Sequence, residues 1–176
     1  MHELTYACEL VELARAIGGF SIGVASHPIG HPRSPSMEAD RDRLAEKLRM
    51  ADFSVTQFFF DVEDYVRLVD DLVARDLDKP VLPGIIPVTT LTSVPRMAQM
   101  GGPVPPWMVA RLEDADAAGG ADEVRRVGID IATELCQKLL DEGAPGLHFY
   151  TLNQSTATRE IYANLGLGPA SAAAAS

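Results

Sequence analysis

Two histidines sit four residues apart in His27-Pro28-Ile29-Gly30-His31-Pro32. That spacing aligns two imidazoles for a metal ion only on a helix. Pro28 and Pro32 prevent one and no third ligand is near, so no metal site is expected. Asp40, Leu44 and Lys47 fall at i, i+4 and i+7, on one face of a helix. On its own this is equally the pattern of a solvated, salt-bridged face in a segment rich in Glu, Asp and Arg. Gln57 shares a strand face with Val55 and Phe59. An unpaired buried amide costs roughly 1–3 kcal/mol, so Gln57 requires a partner, either a ligand or neighbouring backbone. His148 lies in an apolar strand and reads as a packed, hydrogen-bonded core residue. Cys8 and Cys136, the only cysteines, both fall in helical sequence and offer neither a disulfide framework nor a thiolate metal site.

The elements that must position these side chains alternate. A helix is predicted over Glu3 to Ile17, ended by Gly18-Gly19, and a strand over Phe20 to Ala25. The Pro- and Ser-containing loop His27 to Ser36 follows, then a helix from Met37 to Arg49 with Ser36 as its cap. Phe53 to Phe60 reads as a strand, Asp61 caps a helix from Val62 to about Arg75, and Val81 to Val88 reads as a strand interrupted by prolines. Helical pieces are predicted at Ser93 to Met100, Pro106 to Ala117 and Ala121 to Asp141. The strand Gly146 to Asn153 and a short helix near Ala157 to Leu165 complete the order. Residues 168–176 read as a frayed tail after a single unit over 1–167.

Strands separated by helices imply βα units, a parallel sheet and right-handed crossovers. The strands Val55 to Phe60 and Leu147 to Tyr150 are apolar on both faces, as expected between covering helices and a barrel core. The predicted class is α/β, a partial TIM (β/α)8 barrel of about four parallel strands: 176 residues fall short of the ~250 of a complete barrel.

Composition narrows the function. Hydrophobic residues make up 47% and charged residues 23%, the balance of a globular chain. Twenty-five acidic against fifteen basic residues give a net charge of -10, which repels phosphate backbones and anionic lipid. No apolar run approaches the ~20 residues of a membrane span, and Met1-His2-Glu3 does not open a signal peptide. A cytoplasmic protein without nucleic-acid or membrane partners is the expectation.

Several strings in register carry a more specific message: His27-Pro-x-x-His-Pro32, Thr56-Gln-Phe-Phe-Phe-Asp61, Pro83-Gly-Ile-Ile-Pro87, Pro105-Pro-Trp-Met108 and His148-Phe-Tyr-Thr-Leu-Asn153. From about Leu4 to Leu167 the chain resembles the methylenetetrahydrofolate reductase family, and within it the second half of the barrel, strands five to eight. The resemblance implies an FAD-mediated, NAD(P)H-dependent reduction of 5,10-methylenetetrahydrofolate to 5-methyltetrahydrofolate. It places His27, His31, Asp40 and Lys47 at cofactor-binding positions, where a lysine offers a point charge to the diphosphate and a carboxylate accepts from sugar hydroxyls. It places Gln57, Ser93 and Gln154 at folate-facing positions, where a pterin ring would meet the Gln57 amide with complementary donors and acceptors. The family's general-acid glutamate and its Arg-Gly-Asp segment belong to the first half of the barrel, and no residue here matches either.

The departures from the family pattern are local. His27 stands where the family usually has tyrosine, Gln154 where it has arginine, Ser93 where glutamine is common, and Met97 where a larger apolar side chain often packs on substrate. Met50-Ala51-Asp52 lacks the family's glycine. Two expectations follow: a truncated or split reductase chain, or a half-barrel that keeps the fold as a structural or interaction module without catalysis. A half-barrel exposes strand edges and an apolar face, so either reading calls for a homo-oligomer or a complementary barrel half.

Overall fold

A computed structural model describes residues 4–167. Helix α1 (Ala7–Ile17) precedes β1 (Gly23–Ser26), α2 (Met37–Met50), β2 (Phe53–Phe58), α3 (Val62–Val73) and β3 (Val81–Ile85). A 3-10 turn at Leu91–Ser93 then leads into α4 (Val94–Met100), α5 (Pro106–Asp141), β4 (His148–Phe149) and α6 (Thr156–Asn164). The four strands form one sheet in the order β1-β2-β3-β4, every pair parallel. This is the predicted half-barrel architecture. The tail over 168–176 and the start of the first predicted helix lie outside the described residues.

The caps fall where the sequence puts them. Ala39 N–H donates to Ser36 Oγ at 3.1 Å and Glu63 N–H to Asp61 Oδ1 at 3.1 Å. Several boundaries shift. α1 begins at Ala7 because the Glu9 carboxylate accepts the Thr5 N–H at 2.7 Å, closing the helix start there. β4 is two residues long, much shorter than Gly146 to Asn153: the chain makes one further bond to β3, from the Tyr150 N–H to the Ile85 carbonyl, before Leu152 and Asn153 turn into positive φ. The two helices predicted on either side of Gly119-Gly120 are both present within α5, meeting at a kink at Gly120, whose φ of 67° is closed to most side chains.

The outer face of the sheet is sealed by α2, α3 and the second half of α5. Leu44, Leu48, Leu68, Ile85, Cys136, Leu139 and Ile161 are all at most 2% exposed there. A second cluster packs the strand exits beneath α4 and the first half of α5, around Phe58, Val88, Met97, Met108 and Leu112. Cys136 lies in the first core, where burial pushes its thiol up to about 12. The opposite, inner face is only half covered: along β2, Ser54, Thr56 and Phe58 are buried while Phe53, Val55 and Gln57 are not.

One irregularity shapes the strand exits. Pairing between β2 and β3 shifts between Val55 and Phe58. There the Gly84 N–H donates to Thr56 Oγ1 at 2.8 Å, and the freed Thr56 carbonyl accepts the Tyr150 hydroxyl at 2.9 Å. A Cβ on Gly84 would lie 2.3 Å from that carbonyl and 2.6 Å from the Tyr150 ring, so only glycine permits the bridge. A bulge of this kind re-aims the next side chain, here Gln57.

α5 approaches the exit of β3 equally closely: a Cβ on Gly128 would meet the Val88 carbonyl oxygen at 1.8 Å. Gly128→Ala must push the helix off the sheet. Urea unfolding should show a loss of about 1–3 kcal/mol. Gly146→Ala, whose Cβ would meet only Leu82 Cδ2 at 3.3 Å, should stay near wild type.

Candidate functional site

The end of β1, the loop after it and one face of α2 enclose a cavity of about 430 Å³, completed by the residues that open α1. His27, His31, Asp40 and Lys47 all line it, together with Leu44, Ser34 and Cys8. The face Asp40-Leu44-Lys47 is therefore a cavity wall and not a solvated surface: Asp40 and Leu44 are buried and Lys47 is half-buried. The two imidazoles meet edge to face, 4.7 Å between centroids. The His31 Nδ1 accepts the Arg33 N–H at 3.1 Å, so in the neutral ring the proton resides on Nε2. No group of three or more His, Cys, Asp or Glu with metal-binding geometry occurs among the described residues.

Burial sets the electrostatics of this wall. It holds the His27 imidazole below its ordinary value, helped by the neighbouring His31 and opposed by Asp40. Burial likewise lowers Lys47, against the pull of Asp40. The Lys47 ammonium donates to a neutral acceptor, the Ala25 carbonyl, at 3.2 Å. A phosphate would meet it with a full opposite charge.

The sequence reading missed Arg41. Its side chain is only 2% exposed, and its guanidinium meets four groups. Nε donates to Asp71 Oδ2 at 3.0 Å and Nη1 to Asp40 Oδ2 at 3.0 Å. Nη1 also reaches the His27 carbonyl at 2.9 Å, and Nη2 the Pro28 carbonyl at 2.6 Å. Asp40 Oδ1 in turn accepts the His31 N–H at 3.1 Å. A signal was present: Arg41 leads the i, i+3, i+4, i+7 row Arg41, Leu44, Ala45, Leu48, and a cation on an apolar helix face needs buried partners.

The folate-facing positions gather less closely. Past the bulge, the half-buried Gln57 takes backbone partners: Nε2 donates to the Met100 carbonyl at 3.2 Å, and Oε1 accepts the Phe58 N–H at 3.0 Å. Gln57 thus touches one end of α4 while Ser93, its hydroxyl donating to the Thr90 carbonyl at 2.6 Å, heads the other. Gln154 is exposed in the turn after β4 and contacts neither. Met97 is buried in the second core. His148 is a correction: it is exposed, not a packed core residue, and stacks edge to face on Tyr150 at 4.9 Å. The two-residue strand that carries it is at the edge of the sheet, and the inner face it occupies is uncovered. In the Met50-Ala51-Asp52 connection, Asp52 accepts the Ile22 N–H at 2.7 Å and pairs with Arg15, fastening α1 to the α2–β2 junction.

A parallel (β/α) half-barrel with a cation-bearing cavity at the exit of β1 defines a class: the (β/α) barrel folds, whose strands end on one common rim. The family described as "Methylenetetrahydrofolate reductase" matches residues 1–166, and the chain belongs to it. The 5,10-methylenetetrahydrofolate reductase of Pectobacterium carotovorum subsp. carotovorum is 37% identical over 166 residues, 93% of this chain and 55% of that protein. The Escherichia coli (strain K12) enzyme of the same name is 36% identical over the same length and shares. A probable methylenetetrahydrofolate reductase (NADPH) of Caenorhabditis elegans is 37% identical over 151 residues, 84% of this chain and 22% of that protein. The chain thus spans about half the length of these bacterial relatives. Among solved structures, an uncharacterized protein from Clostridium thermocellum that binds two copies of 5-methyl-5,6,7,8-tetrahydrofolic acid shares the fold. Its TM-score is 0.64 at 13% identity, over 93% of this chain and 59% of that one.

Because the folded His27 pKa lies below its unfolded value near 6.5, the unfolded chain binds the proton first as pH falls. Stability should therefore drop between about pH 7.5 and about pH 5.5. The depressed carboxyls of Asp52, Glu123 and Glu160 titrate only below that window. Urea unfolding of His27→Gln at the two pH values should show a smaller drop. An undiminished drop would assign it to other groups.

Proposed function

We propose that this chain is the cofactor-holding half of a flavoenzyme that reduces 5,10-methylenetetrahydrofolate to 5-methyltetrahydrofolate, with NAD(P)H as electron donor and FAD as cofactor. The observation that carries the reading is the convergence of His27, His31, Asp40 and Lys47 on one cavity of about 430 Å³. Its donor set fits such a ligand. The Lys47 ammonium is matched to a neutral carbonyl, and the buried Ser34 Oγ on the same wall has no partner among the described residues. Lys47 would hold the diphosphate and Ser34 could donate to it. Asp40, with lone pairs beyond those used by His31 and Arg41, would accept from sugar hydroxyls. His27 and His31 would flank the ring system. Bound FAD supplies the two-electron relay between nicotinamide and folate.

Gln57, Ser93 and Gln154 would face the folate. The folate-binding neighbour from Clostridium thermocellum and the reductase relatives support that substrate class. The half-covered inner face and the two sheet edges call for a complementary barrel half, which would also bring the general acid, or a second copy, which would close the sheet without one. A second reading, a half-barrel module without catalysis, is favoured by one observation: the Gln57 amide is already bonded at both ends to backbone groups, the Met100 carbonyl and the Phe58 N–H.

FAD titrated into the purified chain, followed by quenching of its fluorescence and by native mass, tests the proposal. Binding should weaken about tenfold or more in Lys47→Met, the loss of one charge-assisted contact. Equal binding by wild type and Lys47→Met would overturn the assignment of this cavity. Flavin binding without folate reduction, even with the first barrel half of a bacterial relative added, would favour the module.

A further inference from the structure

We infer that Arg41 is a positioning residue that sets the histidine loop over the cavity, and so fixes where a cofactor can sit. The inference rests on the FAD reading above for its ligand, but not for its geometry. The loop after β1 is held by few bonds of its own: the Gly30 N–H to the His27 carbonyl at 3.0 Å, the Ser34 N–H to the His31 carbonyl at 2.8 Å and the Arg33 N–H to His31 Nδ1 at 3.1 Å. Pro28, Pro32 and Pro35 remove backbone donors, so the segment cannot anchor itself through its own amides.

Arg41 supplies the missing donors from the helix beneath. Its two terminal nitrogens take the carbonyls of consecutive residues, His27 and Pro28, at 2.9 and 2.6 Å. The His27 carbonyl it holds is the one that closes the Gly30 turn. The carboxylate it pairs with, Asp40, holds the His31 N–H. One guanidinium therefore fixes both ends of the segment that presents the two imidazoles. Asp71 on α3, paired at Nε, prevents the fork from rotating away. The planar arrangement of donors is what permits this, and an ammonium in the same place serves fewer acceptors along fewer directions. Arg41 is not among the residues that line the cavity, so its effect on a ligand passes through His27, His31 and Asp40.

Amide hydrogen exchange by NMR on the full chain tests this directly, with Arg41→Leu and Arg41→Lys as variants. Leucine suits the apolar row of α2 and removes the charge; lysine keeps the charge and loses the fork. In both, exchange at Gly30 and His31 should accelerate about tenfold or more, while the amides of β2 and β3 keep wild-type protection. FAD affinity should fall by a similar factor in both variants. Wild-type exchange at Gly30 and His31 in either variant would overturn the proposal. So would acceleration spread evenly over the sheet, which marks a purely structural role. If Arg41→Leu does not fold, Arg41→Lys decides alone; if neither folds, Arg41 serves the fold itself and the proposal is overturned. A wild-type chain that leaves FAD free would sink the cofactor reading, while the exchange pattern still judges Arg41.

Discussion

A guanidinium removed from water must have its charge balanced and its N–H groups bonded, or the fold bears several kcal/mol of desolvation. Arg41 meets that demand by drawing in Asp40 from its own helix, Asp71 from α3 and two carbonyls from the loop after β1. Three segments distant in sequence are brought into register by one side chain. The cavity wall is tied into the same network, because the Asp40 carboxylate that meets Arg41 through one oxygen accepts the His31 N–H through the other. Buried ion pairs often add little net stability. Their contribution here is to make one loop conformation cheaper than its neighbours.

The sheet imposes a second constraint. Parallel strands send their connections over one face in one direction, so the strand exits collect on a single rim. On that rim the Gly84–Thr56–Tyr150 bridge breaks the ladder and turns Gln57 toward α4. Membership of the methylenetetrahydrofolate reductase family is consistent with both: family strings sit at the rim, at the loop with the two histidines, at Gly84 and at Tyr150.

Much of this was legible in the sequence, because the signals were local. The alternation of strands and helices and the Ser36 and Asp61 caps follow from periodicity and capping chemistry, which depend on neighbours within a turn or two, while the cavity role of the α2 face came only from the resemblance to the family. Arg41 was not read, because its partners lie 30 residues on in Asp71 and 14 and 13 residues back in His27 and Pro28. His148 was misplaced for a related reason. An apolar string predicts burial only if something covers it, and the inner face at β4 lies open. The bulge at Thr56 left no mark that periodicity could detect, since a threonine hydroxyl substitutes for a backbone acceptor without altering the pattern.

The two cysteines have opposite fates, and that difference has a practical side. Cys136 is sealed in the core with its thiol held protonated to about pH 12, beyond the reach of ordinary alkylating reagents. Cys8 is half-buried on the cavity wall. The wild-type chain thus carries a single addressable sulfur beside its candidate ligand site. A fluorophore or spin label attached there would sense the cavity filling and emptying, without any engineered cysteine.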